Sequence, residues 1–263
     1  MAIVEGALNN LSVLVTRPED QADNICHLLE QAGAKPVRFP VLEIVDVEDN
    51  TSLLEVVDRL ESYDIAIFIS PNAVKKSANL IQSRKTWPKT VKIAAVGKAS
   101  AKALDTLGLI TDIFPPKRFN SEALLEMPEM HQVQGKNIVI FRGEGGRETL
   151  AESLKARGAN VEYAECYRRR QPKADVSQLL RYWARGDINI IITTSNEGLH
   201  NLYDMVGNLG RQWLVKSPLV VLSDRAEQLA RQLGFKNQIL TAEQASDEAI
   251  VKAIINWRQQ SAR

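Results

Sequence analysis

The chain has no apolar stretch near the ~18 consecutive residues that a membrane-spanning helix requires, so no membrane span is expected. It has only two cysteines, Cys26 and Cys166, too few for a disulfide framework and not spaced as a metal-binding pair. Cys26 falls on a helical pattern and is expected as a small, reduced core residue. Histidine is also scarce: His27, His131 and His200 are scattered, with no HExxH and no Cys/His ligand spacing, so no metal site is expected. Net charge is only +1, which gives no global footprint for nucleic acid or an acidic membrane surface. Walker loops and GxSxG elbows are absent. The segment from Met1 to Asn10 lacks the basic and long apolar blocks of a signal peptide. A cytoplasmic location is the expectation.

What the sequence does contain is an internal repeat, the first thing to look for in a chain of this length. Val13-Leu14-Val15-Thr16-Arg17 resembles Ile138-Val139-Ile140-Phe141-Arg142, 125 residues later. Leu29, Gly33 and Ala34 match Leu154, Gly158 and Ala159 at that same offset, and Ser70 matches Ser195. With the offset increased by one, Trp87 matches Trp213, Gly108 matches Gly234, and Ser121-Glu122-Ala123 matches Asp247-Glu248-Ala249.

Each half alternates short apolar, β-branched runs with amphipathic patterns. Strands are predicted at 11–15, 37–41, 64–69, 91–96 and 111–114, then at 137–141, 160–166, 188–194, 218–222 and 237–240. Ile25, Leu28, Leu29 and Ala32 form a helical stripe that Gly33 ends. Further helices are predicted at 51–61, 71–83, 98–108 and 121–127. Two sets of five strands with helical crossovers predict two similar doubly wound α/β domains, each on a five-stranded parallel sheet. Whether the halves fold in tandem or exchange elements is left open by the repeat. Arg38-Phe39-Pro40-Val41 and Cys166-Tyr167-Arg168-Arg169-Arg170 occupy equivalent places and are candidate crossings between domains.

In open parallel sheets, ligands collect beyond the carboxyl ends of the strands, where helix N-termini offer unpaired N–H groups. Thr16-Arg17, Ser70-Pro71-Asn72, Arg142 to Arg147, and Thr194-Ser195-Asn196 all fall at such junctions. Helix capping alone would account for Ser70, Ser121 and Ser195, and capping is compatible with anion binding. Arg142-Gly143-Glu144-Gly145-Gly146-Arg147 is Gly-rich after a strand but lacks the GxGxxG order of a dinucleotide site. Arg168-Arg169-Arg170 reads either as a solvated basic patch or as an electrostatic collar for a polyanion. Tyr167, at its head, reads as an ordinary half-buried strand tyrosine. A non-catalytic two-domain clamp for a small polyanion fits these features, whereas a nucleotide-dependent oxidoreductase would need a phosphate loop.

Several of these segments, in this order, resemble the uroporphyrinogen-III synthase family. They are Leu14-Val15-Thr16-Arg17-Pro18, Phe39-Pro40, Ser70-Pro71-Asn72-Ala73-Val74, Ala95-Val96-Gly97, Arg142-Gly143 with Gly146-Arg147, Gly158-Ala159-Asn160-Val161, and Cys166-Tyr167. Gly-Gly-Arg-Glu and Glu-Cys-Tyr give the form of the gammaproteobacterial branch.

The resemblance implies flavodoxin-like domains joined by a two-stranded linker. Residues 1–38 and 171–263 would form one domain and 42–166 the other, with crossings at 38–42 and 166–171. It implies cyclisation of hydroxymethylbilane to uroporphyrinogen III, with loss of water and inversion of ring D, in a cleft between mobile domains. No metal and no cofactor are implied. The expected partners are the substrate and, transiently, hydroxymethylbilane synthase, and the expected state is a monomer. Tyr167 corresponds to the family's functional tyrosine. Thr16, Arg17, Ser70, Asn72, Ser121, Arg142, Arg147 and Ser195 fall on motif positions expected to bind substrate carboxylates. Many members open one late helix with Gly-Pro-x-Thr; here the stretch is Ser223-Asp224-Arg225-Ala226, and Ser223 or Arg225 would have to replace the missing threonine.

Overall fold

The computed structural model describes residues 5–261. In chain order its elements are β1 (Ser12–Val15), α1 (Asp23–Gln31), β2 (Lys35–Arg38), β3 (Glu43–Val45), α2 (Thr51–Asp58), β4 (Ile65–Phe68), α3 (Pro71–Arg84), β5 (Lys92–Ala95) and α4 (Lys98–Thr106). There follow α5 (Ser121–Leu125), α6 (Pro128–His131), β6 (Asn137–Gly143), α7 (Thr149–Ala156), β7 (Asn160–Arg170), α8 (Ser177–Ala184) and β8 (Ile190–Ile192). The chain ends with α9 (Asn196–Met205), α10 (Gly207–Leu214), β9 (Leu219–Val221), α11 (Asp224–Gln232), β10 (Ile239–Thr241) and α12 (Asp247–Ser261).

The strands form two five-stranded sheets, in the orders β10-β9-β8-β1-β2 and β3-β7-β6-β4-β5. The first compact unit runs up to Glu43 and resumes at Arg170; the second is Ile44–Arg169. In the first, β1 lies between β2 and β8 and pairs in parallel with both. In the second, β6 is central and pairs in parallel with β4 and β7.

These apolar runs form inner strands because each has two buried faces. In β6, Val139 and Phe141 join one cluster with Ala66 and Phe68, while Ile138 and Ile140 join the opposite cluster with Ile65 and Ile67. In the first unit Val13, Val15, Ile190 and Ile192 face one layer, and Leu14, Ile191, Leu219 and Val221 face the other. Each such side chain contributes roughly 1.5–3 kcal/mol when fully buried. Alternation of apolar and polar residues would have left one sheet face wet.

Two predicted strands differ, and one strand forms that the pattern did not predict. The strand expected at 37–41 lies at Lys35–Arg38, on the sheet edge where Pro36 can go without its N–H. The strand expected at 111–114 is a single bridge, Ala94 to Ile113. There the Asp112 carboxylate accepts the Ile93 N–H at 2.7 Å, in place of a ladder carbonyl, and Pro115-Pro116 follow without donors. The second sheet instead takes its fifth strand from Glu43-Ile44-Val45, a run too short to show a period.

Candidate active site

The residues singled out at strand ends do gather at the carboxyl ends of the two sheets, each unit carrying its own set. In the first unit, Thr16 follows β1 and is buried; its hydroxyl donates to the Ile192 carbonyl at 2.7 Å, tying β1 to β8. Arg17 is already neutralised: its guanidinium lies 2.6 Å from Asp247, whose other carboxylate oxygen accepts from Asn24 at 2.6 Å. The repeat aligned Asp247 with Ser121, but alignment could not show that it meets Arg17. Ser195 caps α9 by accepting the Gly198 N–H at 3.0 Å, and Ser223 caps α11 by accepting the Ala226 N–H at 3.3 Å. A capping hydroxyl keeps its proton for donation, so both serines can still meet an anion. At the departed threonine position, the Ala226 side chain is buried against the core, and Ser223 presents the hydroxyl.

In the second unit, Ser70 caps α3 by accepting the Ala73 N–H at 3.1 Å, and Pro71 fills the first helical position. Asn72 follows, half-buried, in the first turn of α3. The Ser70 Oγ also lies 3.0 Å from the Tyr167 hydroxyl. Tyr167 is not half-buried, as a strand tyrosine usually is: it is 2% exposed and belongs to the core cluster of Phe68, Val74, Phe141 and Cys166. The strand register explains its depth. Arg142 faces Glu165 but Gly143 faces Tyr167, so β7 gains a residue at this point. A Cβ on Gly143 would lie 2.6 Å from the Tyr167 ring, so the phenol packs where only glycine leaves room. The Glu144 N–H then donates to the Tyr167 carbonyl at 2.8 Å.

Arg142 is buried, not displayed. Its Nε donates to the Gly143 carbonyl at 3.1 Å and its guanidinium lies 4.4 Å from the Tyr163 ring centroid. Burial raises the Tyr163 hydroxyl above its ordinary pKa, and the neighbouring Arg142 opposes the shift. Arg147 stands at the exposed end of the loop and makes no ion pair among the described residues. The Gly145 N–H, a candidate anion donor, is met by Glu165 at 3.3 Å. Ser121 is not a cap: Asn120 caps α5, accepting the Ala123 N–H at 2.8 Å, and Ser121 is its first helical residue. The basic run is partly neutralised by the chain itself, Arg168 by Glu48 at 2.5 Å and Arg170 by Glu43.

Gly143 and Asp247 are the contributors that sequence reasoning missed. The glycine's signal was its place two residues after Phe141 in a strand, where a small residue marks a bulge or close approach. The Asp247 contact spans most of the chain and left no local signal.

Cys166 packs behind this site. Its thiol donates to the Arg142 carbonyl at 3.1 Å, and burial pushes its pKa up to about 12. Both cysteines are free and buried. Neither should react with a disulfide reagent at pH 8 until the chain unfolds; rapid native-state labelling of Cys166 would contradict its burial. Because the folded chain holds this proton more tightly, the thiol's contribution to stability is complete below the ordinary value of 9.0 and declines as pH rises towards about 12.

Comparison with known proteins bears on the family and the fold. The family model described as Uroporphyrinogen-III synthase HemD matches residues 23–252. Uroporphyrinogen-III synthase of Salmonella typhimurium is 33% identical over 93% of this chain and 100% of its own length. That of Escherichia coli is 32% identical with the same coverage. Among solved structures, a mutant uroporphyrinogen III synthase from Thermus thermophilus superposes with a TM-score of 0.63 at 17% identity, covering 95% of this chain and 99% of its own. The Helicobacter pylori enzyme superposes with a TM-score of 0.60 at 14% identity, covering 94% and 99%. At those identities the superpositions speak for the fold, and the sequence matches speak for the family: the chain belongs to the uroporphyrinogen-III synthase family.

Proposed function

We propose that the chain cyclises hydroxymethylbilane to uroporphyrinogen III, losing water and inverting ring D, as a cytoplasmic monomer. The observation that carries this reading is the match to the Salmonella typhimurium enzyme along the whole of that relative. No helix among the described residues is long and apolar enough to cross a membrane, in keeping with a small-molecule enzyme. Residues 1–38 with 171–263 serve as one domain and 42–166 as the other, with 38–42 and 166–171 as the crossings; the change of compact unit after Glu43 and again after Arg169 supports this reading.

The chemistry asks mainly for positioning. The ring A hydroxyl departs with the electron pair of its C–O bond, the pyrrole nitrogen supplies the replacing pair, and an azafulvene cation results. Ring D attacks through its substituted carbon, and the spiro intermediate fragments and recloses. The protein must hold eight carboxylates in register and favour this route over direct closure, work suited to preorganised donors. Arg147, Ser121, Asn72 and the backbone N–H groups at the start of α3 supply them from the second unit; Ser195, Ser223 and the starts of α9 and α11 supply them from the first. Thr16, Arg17 and Arg142 hold these junctions in shape, because each is already bonded within the chain. The Tyr167 phenol, bonded to Ser70, assists departure of the hydroxyl. A transient contact with hydroxymethylbilane synthase would deliver the substrate.

Incubation with enzymatically generated hydroxymethylbilane, followed by chromatographic separation of type I and type III products, tests the proposal. Type III should dominate and should persist after exhaustive chelation and without added nucleotide. Type I product alone would refute the activity, and loss of type III restored by a divalent ion would refute the cofactor-free mechanism.

A further inference from the structure

We infer that Ser70 meets the departing hydroxyl directly and that Tyr167 acts through it, as a positioning residue. The inference rests on the reading of the chain as a uroporphyrinogen-III synthase, and concerns which of two bonded hydroxyls touches the substrate.

Burial separates the two groups. Tyr167 is 2% exposed, with its ring in the core cluster. On one side it is closed in by the Gly143 backbone, which lies so near that a Cβ would fall 2.6 Å from the ring. Ser70 is only half-buried and stands at the carboxyl end of β4, where the sheet hands over to α3.

Hydrogen-bond polarity points the same way. A hydroxyl has one proton and can accept two bonds. Ser70 Oγ already accepts from the Ala73 N–H at 3.1 Å, and the Tyr167 hydroxyl stands 3.0 Å away. If Ser70 gave its proton to the phenol, the phenolic O–H would be buried with no other acceptor among the described residues, a costly arrangement. If the phenol donates instead, both hydroxyls are satisfied. Ser70 then receives two hydrogen bonds and keeps its own proton to direct outward. Donors in series polarise one another, so the Ser70 O–H becomes a better donor than an isolated serine.

In the reaction Ser70 donates a hydrogen bond and retains its proton. The C–O bond breaks with its pair on oxygen. The azafulvene stays cationic for the attack by ring D, and the proton that balances the hydroxide as water is the one ring D loses from its free α-carbon when the macrocycle closes. Nothing is oxidised or reduced.

The test compares Ser70→Gly, Ser70→Thr, Tyr167→Phe and the Ser70→Gly/Tyr167→Phe double variant, reading kcat and KM for type III product. Glycine is used because it is a tolerated helix cap, so loss of the hydroxyl is separated from loss of the helix start. Ser70→Gly should lower kcat about 10²-fold, the usual effect of one lost transition-state donor, with KM nearly unchanged. Threonine, which keeps the hydroxyl, should restore most of the turnover. Tyr167→Phe should lower kcat roughly 10-fold, and the double variant should be no slower than Ser70→Gly alone, because the phenol would have nothing left to act on. If Tyr167→Phe slows the Ser70→Gly background as much as it slows the unaltered chain, the phenol meets substrate itself and the inference is overturned. Unchanged turnover in Ser70→Gly overturns it as well. Neither outcome touches the parent reading, which fails only if the unaltered chain yields no type III product.

Discussion

Phe141→Ala will destabilise the second unit by about 3–5 kcal/mol, the upper end of what truncating a single core side chain costs. Phe141 is fully buried on β6, the central strand, and stacks on Phe68 with ring centroids 4.8 Å apart and planes 8° from parallel. Truncation removes the transfer free energy of the ring and leaves a cavity that the neighbouring strands cannot close without breaking register with both β4 and β7. A domain is typically stable by only about 5–15 kcal/mol, so the variant should be near the limit of folding. Urea unfolding followed by far-ultraviolet circular dichroism measures it. Phe141→Leu, which keeps most of the volume, should recover most of the difference. A loss below about 1 kcal/mol would mean that the core collapses around the gap.

Gly143→Ala should cost about 1–3 kcal/mol and should also slow type III product formation. The added Cβ would lie 2.6 Å from one Tyr167 ring atom and 2.7 Å from another, and an aromatic ring held in a core cannot yield as a flexible chain end can. Displacing the ring also moves the hydroxyl that lies 3.0 Å from Ser70. Gly145→Ala is the informative comparison. Gly145 has φ of +67° and open space around its missing Cβ, so alanine there meets only backbone strain, about 1 kcal/mol. Thermal unfolding together with kcat for both variants separates the mechanisms. Gly145→Ala should lose some stability and keep its turnover, while Gly143→Ala should lose both. Full turnover in Gly143→Ala would show that the position of the Tyr167 ring does not matter to the reaction.

Much of the fold was legible because its causes are local. A strand buried on both faces must be apolar throughout, so Val13-Leu14-Val15, Ile65 to Phe68, Ile138 to Phe141 and Ile190 to Ile192 announce themselves without reference to partners. Their recurrence at an offset of 125 residues indicated two like domains and placed Ser70 and Ser195 at equivalent junctions. Both proved to be helix caps with the same N–H partner spacing. The junction residues were legible too, because an N-cap serine is specified by the helix that follows it.

Other features depend on residues distant in the chain. Arg17 reads as an available cation until folding brings Asp247 and Asn24 to it. Arg142 reads as an exposed cation until folding buries it against Tyr163 and the Gly143 carbonyl. Asn120 rather than Ser121 caps α5, a one-residue difference that propensity cannot resolve between two good capping residues. The depth of Tyr167 follows from a register shift between β6 and β7, and register is a property of paired strands, invisible in either strand alone. The inner strands of the two sheets, and the residues that stand at their carboxyl ends, therefore follow from local pattern, since burial periodicity and helix capping act over a few neighbouring residues. Which of those residues remain available to a ligand emerges on folding, since ion pairing, stacking and strand register depend on groups the chain brings together from far apart.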